Sequence, residues 1–196
     1  MRRFLLDSIF AILVILKIWT QRQGVFVFYS HPVHFTELLF LHSIAHPYEH
    51  EIRNLSYPRR MFERSDATPP RSFEETPFTW VDSPTSFNNM LEKLRAATEL
   101  AIDLEHHSFR TFSGFLCLMQ ISTREEDFVV DTLVLREELE ELNEVFTNPE
   151  IVKVFHGAES DIVWLQQDFN LYIVNLFDTF HASKVLSELL VSCILS

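Results

Sequence analysis

Three strand-like runs follow one another between Glu99 and Thr132, and beyond them the pattern changes to an alternation of helix and strand. The runs are "ELAIDLE" near residues 99–105, "FLCLMQIS" near 115–122 and "DFVVDT" near 127–132, the last two separated by the polar turn "TREE". Links this short favour antiparallel pairing. The spacing of apolar residues then predicts a helix over 137–146, a strand over 151–155, a helix over 159–169, a strand near 173–177 and a helix from 179 to about 190. Strands separated by helices require parallel pairing with crossover connections.

Three antiparallel strands followed by αβαβα is the order of an α/β, ribonuclease H-like mixed sheet with helices on both faces, and this is the fold class expected here. At 196 residues and 47% hydrophobic content, the chain is long enough to bury one full core. Upstream, "FTWV" reads as a short strand. Ser83 as N-cap and Pro84 at the first helical position then start a helix whose Phe87, Met90, Leu91 and Leu94 share one face.

The segments before the regular pattern divide the chain into three parts. Residues 78–190 carry the α/β domain. Residues 46–77, rich in charge, proline and aromatics without sustained periodicity, read as an extended arm or a simple linker. Residues 1–45 open with "MRRFLLDSIFAILVILKIWT", a basic start and an apolar stretch from Ile9 to Leu16. That resembles an export signal, but Asp7 interrupts it, Lys17 closes it, no small-x-small cleavage pattern follows, and it is well short of the roughly eighteen residues a bilayer requires. Membrane insertion is therefore not expected; a docking helix and an erroneous start remain as readings. His42, His46 and His50 recur at helical spacing, yet Pro47 interrupts that helix, which argues against a metal site. His107, His156 and His181 match no common zinc spacing.

A formal charge of −12 argues against a surface that grips nucleic acid mainly through scattered Lys and Arg, but permits phosphate chemistry bridged by metal. Cys117 and Cys193 are the sole cysteines, so a disulfide framework is not expected and a reducing compartment fits better.

Asp103 and Glu105 end the first strand-like run. Two residues apart on a strand, their carboxylates share one face about 7 Å apart along the chain. Two anions that close repel, and a hard divalent cation such as Mg²⁺ or Mn²⁺ relieves them. The solvated end of an edge strand would account for the pair equally well. In "VKVFHGAESDIVWLQQDF", Gly157 sits where strand should turn into helix. Ile162, Leu165 and Phe169 form the buried stripe, leaving Asp161 near the helix start, where the helix dipole alone would favour an acid.

Taken together, "AIDLEHHS", "LCLMQIST", "DFVVDTL" and "NPEIVKVFHGAESDIVWLQQDFNLYIVNLFDT" resemble the DEDD-type 3′-to-5′ exonucleases of the ribonuclease D kind, in the branch that serves the nuclear RNA exosome. The resemblance runs from about His46 to Leu186. It implies that Asp103, Glu105 and Asp161 are catalytic and hold two divalent cations, Mg²⁺ or Mn²⁺, and that His106 and Trp164 contact the terminal nucleotide. An aromatic surface at Trp164 would stack a base, worth roughly 1 to 3 kcal/mol; a core side chain one turn from Asp161 is the plainer reading. The implied partners are single-stranded RNA 3′ ends and nuclear exosome subunits, with a nuclear and nucleolar location and roles in rRNA and other nuclear RNA processing.

The family also uses a fourth acid in a Tyr-x-x-x-Asp helix. Tyr29, Tyr48, Tyr57 and Tyr172 are followed four residues on by Val33, Ile52, Met61 and Leu176, so none supplies it. With three acids of four, an incomplete or truncated form is expected, weak or inert as a nuclease, and a non-catalytic module binding nucleic acid or exosome partners is the alternative.

Overall fold

The structure is a computed structural model in which residues 46–63, 72, 75–109 and 113–186 are described. The readings of the hydrophobic segment 1–45, of His42 and of Cys193 lie outside these residues. Cys117 carries a free thiol.

Among the described residues six strands form one mixed sheet: β1 (Phe78–Val81), β2 (Glu99–His107), β3 (Phe115–Ser122), β4 (Asp127–Asp131), β5 (Val152–Phe155) and β6 (Leu176–Asp178), in the order β1-β4-β3-β2-β5-β6. The pairs β2–β3 and β3–β4 are antiparallel, while β1–β4, β2–β5 and β5–β6 are parallel. "FTWV" thus enters the sheet as an edge strand beside β4. Between β1 and β2, helix α2 (Pro84–Ala96) starts at Ser83, whose hydroxyl accepts the Ser86 N–H while the Ser86 hydroxyl accepts back from the Ser83 N–H. Such a reciprocal cap satisfies donors that a helix start otherwise leaves open.

Pairing register assigns side chains to the two faces, because paired residues project to the same side and neighbours in a strand alternate. On one face, Leu100, Ile102 and Leu104 join Met119, Ile121, Phe128, Val130 and Phe155 in the main core, against Phe87, Met90, Leu91 and Leu94 of α2 and Leu165 and Phe169 of α4 (Glu159–Phe169). The other face carries Val152, Val154 and Phe177, covered by Met61 and Tyr57 of the arm and by Ala182 of the helix over 179–186. Helices therefore stand on both faces, as the sequence implied.

Two elements differ from expectation. The helix expected over 137–146 is a 3₁₀ turn (Leu139–Leu142) followed by the one-turn α3 (Asn143–Phe146). Glu137, Glu140, Glu141 and Glu144 crowd like charges at helical spacing, which weakens a continuous α-helix. The sixth strand starts at Leu176 because Asn175 takes a left-handed φ of 62° and donates to the Pro149 carbonyl (2.7 Å). The arm contains α1 (Glu49–Arg53) and is held to the domain: His46 and Tyr48 pack on Tyr172, and Arg60 bonds the Thr98 and Glu150 carbonyls.

Lys153 is fully buried, its ammonium donating to the carbonyls of Asn148 (2.7 Å), Ile151 (2.5 Å) and Val145 (3.4 Å), so that it fastens the turn into β5; burial pulls its pKa down to about 7. No helix among the described residues is long and apolar enough to cross a membrane.

Candidate active site

Since β2 and β5 run parallel, their carboxyl-terminal ends emerge at one edge of the sheet, and the candidate residues gather there. Asp103 pairs in register with Gln120 and Glu105 with Leu118, so both acids project from the face opposite Leu100, Ile102 and Leu104. Immediately beyond, pairing jumps from Glu105↔Leu118 to His106↔Leu116, leaving Cys117 as the extra residue of a bulge. Bulges bend a strand end and re-aim its side chains. The Asp168 carboxylate of α4 accepts the Leu116 N–H at 2.7 Å, fastening the bulged end of β3 to the helix that bears Asp161 and Trp164.

Strand β5 passes into α4 through Gly157, whose φ of +75° is a conformation that residues with a side chain rarely adopt. Asp161 falls in the first turn of α4. Its pKa rises to about 7, first because burial disfavours the charge and then because Asp103 and Asp178 repel it. Burial likewise raises Asp103, and Glu105 is raised by burial and by the charge of Asp103. Asp103 is thus the common neighbour through which the other two acids meet. Oxygen donors that repel one another in a part-buried site match what a hard divalent cation requires.

His106 and Trp164 come together face to face, ring centroids 4.2 Å apart and planes 8° from parallel. The indole also packs on the main core, so one of its faces is already covered by the imidazole. Gly114 lies against the same imidazole: a Cβ there would stand 2.1 Å from His106 Cε1 and 2.9 Å from the His107 carbonyl, and its φ is +67°.

A second polar group at this edge consists of Glu159, Asp178 and His181, whose ligand atoms all lie within 4.8 Å of one another. Asp178 is already satisfied. Its Oδ1 accepts the N–H groups of Gly157 (3.0 Å), Phe180 (2.8 Å) and His181 (3.3 Å), and its Oδ2 that of Ala158 (2.8 Å). Those bonds hold its pKa below the ordinary carboxylate range despite burial. Glu159 pairs with His181 at 2.8 Å. His156 bonds the Thr179 hydroxyl (2.9 Å); burial raises Asp103 against the lowering pull of its Leu104 backbone hydrogen bond and of the nearby His156. His107 packs its ring on Phe115.

Sequence reasoning passed over three of these residues. Asp178 had a readable signal, an acid directly before a helix start. Gln120 and Gly114 had none at that level, since their roles come from register and from close approach across a loop.

The profile of the 3′-5′ exonuclease family matches residues 78–192. The chain belongs to that family. Among relatives it is 55% identical over 141 residues to "Exosome complex exonuclease RRP6" of Saccharomyces cerevisiae, covering 72% of this chain and 19% of that protein. It is 50% identical over 143 residues to "Exosome complex component 10" of Homo sapiens, covering 73% of this chain and 16% of that one. Of solved structures, the catalytic core of RRP6 from Trypanosoma brucei superposes with a TM-score of 0.67 at 46% identity, over 70% of this chain and 38% of that chain. The mixed six-stranded sheet is therefore the family's fold, and the chain spans less than a fifth of the length of the two curated relatives described.

Proposed function

We propose that this chain carries a 3′-to-5′ exoribonuclease site that hydrolyses RNA from its 3′ end, in RNA processing and degradation with the nuclear exosome. The observation that carries the reading is the meeting of Asp103, Glu105 and Asp161 where β2 and β5 end, burial raising all three and the Asp103 charge further raising Glu105 and Asp161. Membership of the exonuclease family, and relatives named as exosome components, support the reaction and the partnership.

In this reading Asp103, Glu105 and Asp161 would hold two divalent ions, Mg²⁺ or Mn²⁺. When bound, such a pair supplies an activated water and charge stabilisation for the leaving 3′ oxygen. The His106–Trp164 stack forms a wall beside the acids and offers its outer surface to the terminal nucleotide. The place of work is the nucleus, nucleolus included.

The test is a 5′-labelled single-stranded RNA incubated with the purified protein. Shortening from the 3′ end that requires Mg²⁺ or Mn²⁺, stops with EDTA and disappears in Asp103→Asn is expected. A folded protein that never shortens RNA under any divalent metal overturns the hydrolytic reading. Binding without hydrolysis is a second reading; it predicts RNA or partner affinity that Glu105→Gln leaves intact.

A further inference from the structure

We propose that Gln120 is a positioning residue of the acidic site, holding the Glu105 carboxylate in place through its side-chain amide. The inference rests on the reading of Asp103, Glu105 and Asp161 as a divalent-cation site and names a group that prepares it.

Gln120 is a polar residue in the middle of an apolar strand, and only 2% of it is exposed. Register sets it directly opposite Asp103 on the face from which both acids project. Its Nε2 donates to Glu105 Oε1 at 3.3 Å. The opposite assignment of the amide would turn a carbonyl oxygen onto a carboxylate, so the donor must face Glu105. From the other side Gln120 meets Val129 in register, an apolar neighbour that offers no competing side-chain partner.

Its Oε1 is buried and accepts no hydrogen bond from the described residues. A buried polar atom left in this way is destabilising, and an apolar side chain of similar volume would remove that cost. Stability therefore gives no reason for an amide here, whereas control of Glu105 does. The amide restrains one oxygen of Glu105 and leaves the other for a ligand. It does so without charge. Lysine or arginine would hold the carboxylate more firmly, but a fixed positive charge would compete with a cation for the same oxygens.

The experiment measures Mn²⁺ binding by titration calorimetry and the metal-free thermal midpoint in EDTA, for the wild-type chain and the variants Gln120→Met, Gln120→Asn and Asp103→Asn. Gln120→Met keeps volume and deletes the donor; Gln120→Asn keeps polarity and withdraws the amide by one methylene. Both should weaken Mn²⁺ binding by about tenfold or more, the scale expected for residues behind the ligands. The metal-free midpoint of Gln120→Met should stay level or rise. A purely structural role gives the opposite pattern, a lower midpoint with unchanged Mn²⁺ affinity, and that pattern overturns the proposal. Should Gln120→Met fail to fold, wild-type Mn²⁺ affinity in Gln120→Asn overturns it equally. If Asp103→Asn also binds Mn²⁺ as the wild type does, the cation site itself is refuted.

Discussion

Asp161 and Asp178 lie on either side of the same Gly157 turn and face opposite electrostatic fates. Asp161 meets two other carboxylates and is raised to about 7, while Asp178 meets four backbone N–H groups and is held low. Both are part-buried, so burial alone does not separate them. The difference lies in what the fold supplies. Around Asp178 it provides every donor the carboxylate needs, and the acid fastens the turn to the helix over 179–186. Around Asp161 it supplies burial and repulsion, which in the proposed function a cation would relieve. An acid finished by the backbone is a structural knot; on the proposed reading, an acid left unfinished among other acids is a binding site.

The sharpest way to break this comparison is to replace each acid by its amide. Asp178→Asn loses the charged acceptor for four N–H groups; bonds to charged groups are worth about 1.5–3 kcal/mol each and are not additive. A loss of about 3 kcal/mol in urea unfolding is expected. Unchanged stability would show that the knot is ornamental. Metal should then separate the two groups at slightly smaller magnitude. With Mn²⁺ at a hundred times its dissociation constant, stability should rise by about 2.7 kcal/mol, seen as a higher thermal midpoint. That rise should vanish in Asp103→Asn and Asp161→Asn yet survive in Glu159→Gln and His181→Ala. Were the dependence reversed, Glu159, Asp178 and His181 would be the cation site.

Next in size is Gly114→Ala, which tests the aromatic wall rather than the acids. The added Cβ meets His106 at 2.1 Å and the backbone must hold φ at +67°, a strain of about 1–2 kcal/mol. Displacing the imidazole should loosen the Trp164 stack and weaken RNA affinity about fivefold in fluorescence anisotropy. In a His106→Ala background the same change should cost little further affinity. Equal loss in both backgrounds would mean that Gly114 does not act through His106.

Much of this architecture could be read from the sequence because its causes are local. Ser83 before Pro84 announces a helix, alternation in "ELAIDLE" puts Asp103 and Glu105 on one face, and the helix Glu159–Phe169 follows from its apolar spacing. What could not be read depends on partners distant in the chain. Gln120 looks like one polar interruption of an apolar strand until register sets it beside Asp103. Gly114 looks like any loop glycine until His106 is found against it. Lys153 reads as a charge on a strand surface, yet it is buried and fastened to three carbonyls. The division of the expected helix over 137–146 comes from repulsion among glutamates that an apolar pattern does not register.

The smallest expected effect is also the one that sharpens the contrast most, because its sign is unusual. In metal-free protein, Asp161→Asn should raise stability, by a few tenths to about 1 kcal/mol once screening of this part-exposed group is allowed for. The folded pKa of about 7 lies above the ordinary 3.8, so the folded state holds this proton more tightly than the unfolded chain does. Through this group, stability is greatest below about pH 4, declines as pH rises toward 7 and is level above. Asp178, held low when folded, works the other way and protects the fold as pH rises from acid. Subtracting the urea midpoints of the wild type from those of Asp161→Asn in EDTA cancels every group the substitution leaves alone and isolates Asp161 together with its coupling to Asp103 and Asp178. The difference should be near zero at pH 4 and positive at pH 8. A difference that stays flat across that range would mean that Asp161 is no more burdened than Asp178, and the distinction drawn between the two acids would fall.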